Sequence, residues 1–161
     1  MASDAYLLID TINGESQAQG MTNNIELDSF SFGASNPADV GGGGLSAGKC
    51  SLSDFSFTCA VDKASYQILK ALYTGQHIGT TTFSLRKSTG AATPYVYLKV
   101  LMTNCYITSN SMGGGAQGVP SQSVSIAYEQ IEFDYFTQDT QSGAVTQAGA
   151  ATYNIGAVQQ T

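Results

Sequence analysis

His77 is the only histidine in the chain, and it directly follows the glycine that ends the one helical segment. An imidazole acting as a general base needs an orienting partner and a nucleophile within hydrogen-bond reach, and the sequence marks neither. Beside a helix C-terminus a protonated ring would instead complement the helix dipole. The carboxylates Glu129, Glu132 and Asp134 are the nearest thing to an acid/base pair. Glu132 and Asp134 share a strand parity opposite Ile131, Phe133 and Tyr135, the pattern expected of a solvated face. No GxSxG, HExxH, P-loop or zinc-ligand spacing occurs. The glycine runs at 41–44 and 112–118 lack the strand, glycine, lysine and helix order that cradles phosphate, so they read as turns. Cys50, Cys59 and Cys105 are an odd number in no metal-binding spacing, and they read as small buried hydrophobes in a reducing compartment. The expectation is a protein with no catalytic residue, metal or cofactor, and not an enzyme.

Composition narrows the partners. Only 11% of the 161 residues are charged, and the formal net charge is −6. A surface of Ser, Thr, Asn, Gln and Gly with that balance offers no basic footprint for nucleic acid or for an anionic membrane. It also limits repulsion when identical copies pack side by side. No apolar run approaches the ~20 residues that span a bilayer, and MASDAYLLID lacks the pattern of a secretory signal peptide. One domain over 1–161 is expected, with a core large enough to need no covalent staples.

The elements that would position these residues are mostly strands. Val61 to Ile78 is the one stretch with helical periodicity: Ile68, Leu69 and Leu72 form an apolar stripe, Asp62 and Ser65 are candidate N-caps, and Gly75 is the stop. A helix over about 62–74 is short, and it needs that stripe covered. Strands are expected at 5–11, 24–34, 50–59, 80–87 and 95–108, and over 123–136. A last short one is expected at 151–155. Asn13-Gly14 marks a turn, 109–120 reads as a glycine-rich loop, and 137–150 is polar and turn-rich. Three strands change the parity of their apolar residues midway: Ile25 and Leu27 then Phe30 and Phe32; Cys50 and Leu52 then Phe55 and Phe57; Val124, Ile126 and Tyr128 then Ile131, Phe133 and Tyr135. Such slips imply bends or swaps of face, so the expected architecture is mainly β, a curved and nearly closed sheet flanked by one helix.

Several segments together resemble the Hcp family, the haemolysin-coregulated tube proteins of bacterial type VI secretion systems. The resemblance runs through AYLLID, IELDSFSFGAS, GKCSLSDFSFTCAVDKAS, YTGQHI, YVYLKVLMTNCYITS and PSQSVSIAYEQIEFDY, in order over roughly residues 4 to 136. It implies a β-barrel of two sheets with one flanking helix and a long loop between strands 2 and 3. It also implies a structural role: homo-hexameric rings stacked into a tube that a contractile sheath drives out of the cell, with effector proteins carried in the lumen. The implied partners are further copies of the chain, the sheath and spike or tip proteins, and effectors. The implied location is the bacterial cytoplasm before firing, then outside the cell. By position, the loop carries over as the ring-stacking element: Ser35, Asn36, Pro37, Asp39, Val40, Gly41, Gly42, Gly43, Gly44 and Leu45. The closing segment departs from the family pattern, with Thr152-Tyr153-Asn154 where many members have Gly-Trp-Asp.

Two other readings stay open on the residues alone. Sixteen Tyr and Phe with glycine-rich loops would suit a monomeric β-barrel that binds glycans or other ligands. A secreted hydrolase would have His77 as its best candidate.

Overall fold

The computed structural model describes residues 3–38, 41, 48–87, 94–156 and 159–160. Eleven strands and one helix follow one another as β1 (Ser3–Ile9), β2 (Ile25–Leu27), β3 (Ser29–Ser31), β4 (Ala34–Ser35), β5 (Ser51–Leu52), β6 (Phe55–Ala60), α1 (Ala64–Thr74), β7 (Ile78–Lys87), β8 (Tyr95–Gly113), β9 (Ser121–Gln138), β10 (Val145–Asn154) and β11 (Gln159–Gln160). Nine strands make one antiparallel sheet in the order β11-β10-β9-β8-β7-β1-β2, with β6 attached to β9 and β3 to β6, and β4 and β5 form a separate pair. The mainly β architecture with one helix is as expected.

The expected near-closure is not found as one ladder. β2 bonds to β1 whereas β3 bonds to β6, so the strand changes partner at Asp28, whose N–H donates to the Thr58 carbonyl. That switch is the first of the three parity changes. The second separates two strands: β5 pairs with β4 and β6 with β3 and β9, so Cys50 and Cys59 do not flank a single strand.

The third lies within β9, and two neighbouring strands share it. Core-facing residues run Val124, Ile126 and Tyr128 and then Ile131 along β9; along β8 they run Val100 and Met102 and then Cys105 and Ile107; along β7 Ile78 is followed by Phe83 and Leu85. Cys105 faces Ile78 and Tyr128, and Thr103 faces Thr80 and Gln130. Gly79, Asn104 and Glu129 therefore fall in one row across three strands, and the sheet exchanges faces there. Asn104 sits at φ 54, a left-handed conformation that asparagine adopts more readily than most residues.

Within a largely aliphatic core Phe55, Phe57 and Phe83 are buried, and Phe30 and Phe32 extend the ring cluster toward the surface. Phe55 is fully buried, and its ring centroid lies 5.2 Å from Phe83 and 5.8 Å from Phe32. Phe30 lies 4.4 Å from Phe83. Offset and tilted aromatic pairs of this kind add ~0.5–1.5 kcal/mol each to the area they bury.

The helix covers one side. Asp62 Oδ1 accepts the Ala64 N–H at 2.9 Å while Ser65 Oγ accepts the Asp62 N–H at 3.0 Å, so the two expected caps act reciprocally at the first turn. Gly75 ends the helix at φ 65, a position that favours glycine. Ala64, Ser65, Ile68 and Ala71 are buried, and Leu72 packs at the edge of that core. The buried Gln122 of β9 ties helix to sheet, donating to Ser65 Oγ at 2.8 Å and to Cys59 Sγ at 3.3 Å. Asn13 N–H donates to Gln67 Oε1 at 3.1 Å, which holds the β1–β2 loop against the helix. Within that loop Gly14 lies so close to the Asn24 carbonyl that a Cβ would overlap it.

Two elements exceed the sequence-based expectation. β8 continues to Gly113, through what reads as loop, because β9 pairs with it out to Ser121. β10 begins at Val145, not 151, because β9 extends to Gln138 and carries it as a partner.

Candidate association surface

β9 has a different neighbour on its outer side along each half: β6 along residues 121–126 and β10 along residues 130–138. β10 in turn is covered on its far side only at Tyr153 and Asn154, which pair with β11. The edge from Val145 to Thr152 therefore has no strand partner among the described residues. Residues 145–151 are all exposed and none is charged. Their register to β9 shifts between Gln147 and Gly149.

On the opposite side of the sheet β8 outlasts its strand partner, and α1 lies alongside β8 there. β7 pairs with β8 only as far as Cys105, so the stretch from Tyr106 to Gly113 is bonded to β9 alone. Within it the buried Oδ1 of Asn110 accepts no hydrogen bond. Open strand edges are templates for another chain, and monomeric proteins usually blunt them with charge, proline or a covering element.

Beside the β10 edge, between the β4–β5 pair and β9–β10, lies an apolar cleft of about 470 Å³ whose walls include Phe32, Leu52, Tyr128, Phe133 and Tyr153. Tyr128 Oη donates to the Ser53 carbonyl at 2.8 Å, fixing β9 to the β4–β5 pair. Burial holds the Tyr128 hydroxyl up at about 12.

The stacking loop named from the sequence is placed in part. Ser35 pairs with Ser51, and Asn36 and Pro37 are exposed. Pro37 packs so closely on Gly48 that a Cβ there would overlap it. The two ends of the loop are thus held together at its base. Gly41 is exposed, while Asp39, Val40, Gly42, Gly43, Gly44 and Leu45 lie outside the described residues.

The residues singled out for chemistry are arranged differently from the sequence reading. His77 does have an orienting partner: its Nε2 lies 3.1 Å from Asn104 Oδ1, and Asn104 Nδ2 donates to Glu129 Oε2 at 2.7 Å. The Tyr106 ring stands edge-on at 5.5 Å. The chain His77, Asn104, Glu129 is exposed and no nucleophile hydrogen-bonds to it among the described residues. It ties together the row where the sheet exchanges faces, and the Ile155 N–H donates to the Glu129 carbonyl at 2.8 Å.

Asp134 is not on a solvated face; it is buried, because β10 lies alongside and Gln147 Nε2 donates to its Oδ1 at 3.1 Å. The charge of Asp134 pushes the neighbouring Glu132 carboxyl above its usual range, against the opposing effect of Lys99. Cys59 and Cys105 are buried free thiols and Cys50 is half-buried; burial holds the Cys59 thiol up at about 11 and raises that of Cys105. Among the described residues no group of three or more His, Cys, Asp or Glu is placed to hold a metal ion, and no helix is long and apolar enough to cross a membrane.

A charge-poor antiparallel sheet with one covering helix and an unpaired β10 edge defines a mainly β module. Residues 6–135 match the family model described as "Type VI secretion system effector, Hcp", and the chain belongs to the Hcp family. It is 29% identical over 140 residues to the protein hcp1 of Pseudomonas aeruginosa, a match covering 86% of each chain. Among solved structures, one titled as a type six secretion system protein is similar with a TM-score of 0.90 at 25% identity, covering 99% of this chain and 100% of the other. Hcp1 from Salmonella typhimurium is similar with a TM-score of 0.78 at 25% identity, covering 100% of both. The family is that of a structural tube protein of the type VI secretion system, secreted through that system, and not a known enzyme family.

Proposed function

We propose that this chain is the ring-forming subunit of a type VI secretion tube, six copies closing into an annulus and annuli stacking head to tail, and that residues 1–161 act as one domain in it. The observation that carries this reading is the uncharged, unpaired β10 edge from Val145 to Thr152 on one side of the sheet, with the unlike margin of β8 and α1 on the other. A ring needs a heterologous contact, in which one patch of a subunit meets a different patch of the next. The β10 edge and the β8–α1 margin are unlike patches on opposite sides, and the β10 edge can extend onto a neighbour by strand addition. Stable interfaces bury roughly 1,200–2,000 Å² in total, and scarce charge lowers the cost of desolvating that surface.

The 35–45 loop serves stacking, with its base fixed by the Ser35–Ser51 pairing. The subunit waits in the bacterial cytoplasm, leaves with the tube when the sheath contracts, contacts sheath and spike proteins, and carries effectors inside the annulus. Native mass spectrometry of the purified protein is the test. A species of six chains supports the proposal, and a strict monomer at high micromolar concentration overturns it. Deleting Val40 to Leu45 is expected to leave six-chain species in place while shortening or abolishing stacks in negative-stain images. Loss of the six-chain species would contradict the role assigned to the loop.

A further inference from the structure

α1 packs against β8, and its outer face, turned away from the buried residues, carries two lysines and two tyrosines. Lys63, Tyr66, Lys70 and Tyr73 follow one another at steps of three, four and three residues. That is the spacing of one helix seam that packs on another helix. The four side chains lie along about 15 Å of helix on the side opposite the buried Ala64, Ile68 and Ala71. Tyr66 is 65% and Tyr73 77% exposed, and Lys63 and Lys70 are exposed.

The charge on this seam runs against the net charge of the chain. The chain has 12 Asp and Glu against 6 Lys and Arg, yet the segment from Ala64 to Thr74 contains no acidic residue. Of the other four basic side chains, Lys49 is exposed before β5, Arg86 is buried on Tyr6 and the Gln19 carbonyl, Lys87 lies over the Tyr97 ring, and Lys99 faces Asp134 across the strands. Asp62 and Glu15 sit at the first turn, where they accept the Ala64 and Lys63 N–H groups. Lys70 and both tyrosines lie beyond them. Exposed tyrosines bring large contact area with little side-chain entropy to lose, and they are enriched at protein interfaces.

We infer that the Lys63-Tyr66-Lys70-Tyr73 seam is a docking surface for an acidic α-helix of another protein. Its aspartates or glutamates meet the two lysines, and its apolar residues pack between the two tyrosines. One such seam is short and binds weakly, whereas an annulus that presents several copies at fixed spacing multiplies the effect through local concentration. That last step rests on the ring reading; the seam itself does not.

The probe is a labelled amphipathic helical peptide of three heptads, with glutamate at the positions that meet lysine and leucine at those that meet tyrosine. A second peptide has lysine in place of every glutamate. Fluorescence anisotropy is expected to show saturable binding of the acidic peptide only, weakening as salt rises. Lys63→Glu with Lys70→Glu is expected to weaken it by about tenfold or more, and Tyr66→Ala with Tyr73→Ala by a similar factor. All four positions are exposed, and an unchanged circular dichroism spectrum and melting temperature confirm that each variant is folded. Equal binding of both peptides, no saturable binding, or wild-type affinity in the lysine variant overturns the inference. A variant that still forms six-chain species but loses the peptide supports it. Saturable acidic binding to a protein that never forms rings also supports the seam while removing the ring reading.

Discussion

The phenylalanine interior and the β10 margin are parts of the same sheet built to opposite specifications. Around Phe55 every surface is covered: Phe30, Phe32, Phe57 and Phe83 lie within 6.4 Å, centroid to centroid. Along residues 145–151 every side chain is exposed and one hydrogen-bonding edge is open. The interior supplies the free energy that holds the subunit together. The margin contributes little to it and leaves backbone donors and acceptors for a second chain. Folding and assembly are therefore carried by different residues, and substitutions should separate them.

The largest expected effect on stability is at the interior. Phe55→Ala removes a fully buried ring and should lower the unfolding free energy by about 3–5 kcal/mol in urea titrations. Loss of less than about 1 kcal/mol would mean that the aromatic cluster is not the core it is taken to be. A second test of the interior is alkaline. Cys59 and Tyr128 are held at about 11 and about 12, above their ordinary values of 9.0 and 10.0. From about pH 9 upward the unfolded chain loses protons that the folded chain retains, so stability should be fully present below pH 9 and fall as pH rises through the folded values. Flat stability between pH 8 and 11 would show that these groups are not buried in solution.

A smaller effect is expected where the sheet exchanges faces. Asn104→Ala and Asn104→Gly both remove the link between His77 and Glu129, but only alanine opposes the left-handed backbone at φ 54. The alanine variant should be less stable than the glycine variant by about 1 kcal/mol in thermal melts. Equal stability would place the bend elsewhere. The smallest effect on folding is expected at the margin, where Thr146→Lys with Ala148→Lys should change the unfolding free energy by less than about 1 kcal/mol. The same pair should abolish six-chain species in native mass spectra, because edge lysines block strand addition.

Legibility in the sequence followed the same division. The helix was readable because Ile68 and Leu72, the caps at Asp62 and Ser65, and the stop at Gly75 are all local, although Ala64 and Ala71 complete the buried face in place of Leu69. The parity changes in 24–34, 50–59 and 123–136 marked real bends. Whether such a bend splits a strand or twists it depends on the partner, and sequence alone does not show partners. Hence 50–59 reads as one strand although it contributes to two sheets. The companion change in β8 at Asn104 went unread, although Cys105 and Ile107 break the parity of Val100 and Met102.

β10 was the hardest element to foresee. Val145 to Ala151 has neither alternation nor a buried face, since its strand conformation comes from pairing with β9, so only its last residues looked strand-like. Asp134 was misplaced for the same reason, as the β10 residue Gln147 is what meets it. His77 was read as lacking an orienting partner, but Asn104 lies 27 residues away on a neighbouring strand and no spacing rule connects them.

Hydrogen–deuterium exchange over residues 145–152 tests the separation of folding from assembly most directly. The wild-type protein at high concentration should show strong protection of these amides, and the Thr146→Lys, Ala148→Lys variant should lose it while amides around Phe55 stay protected in both. Equal exchange along β10 in the two proteins would contradict the account.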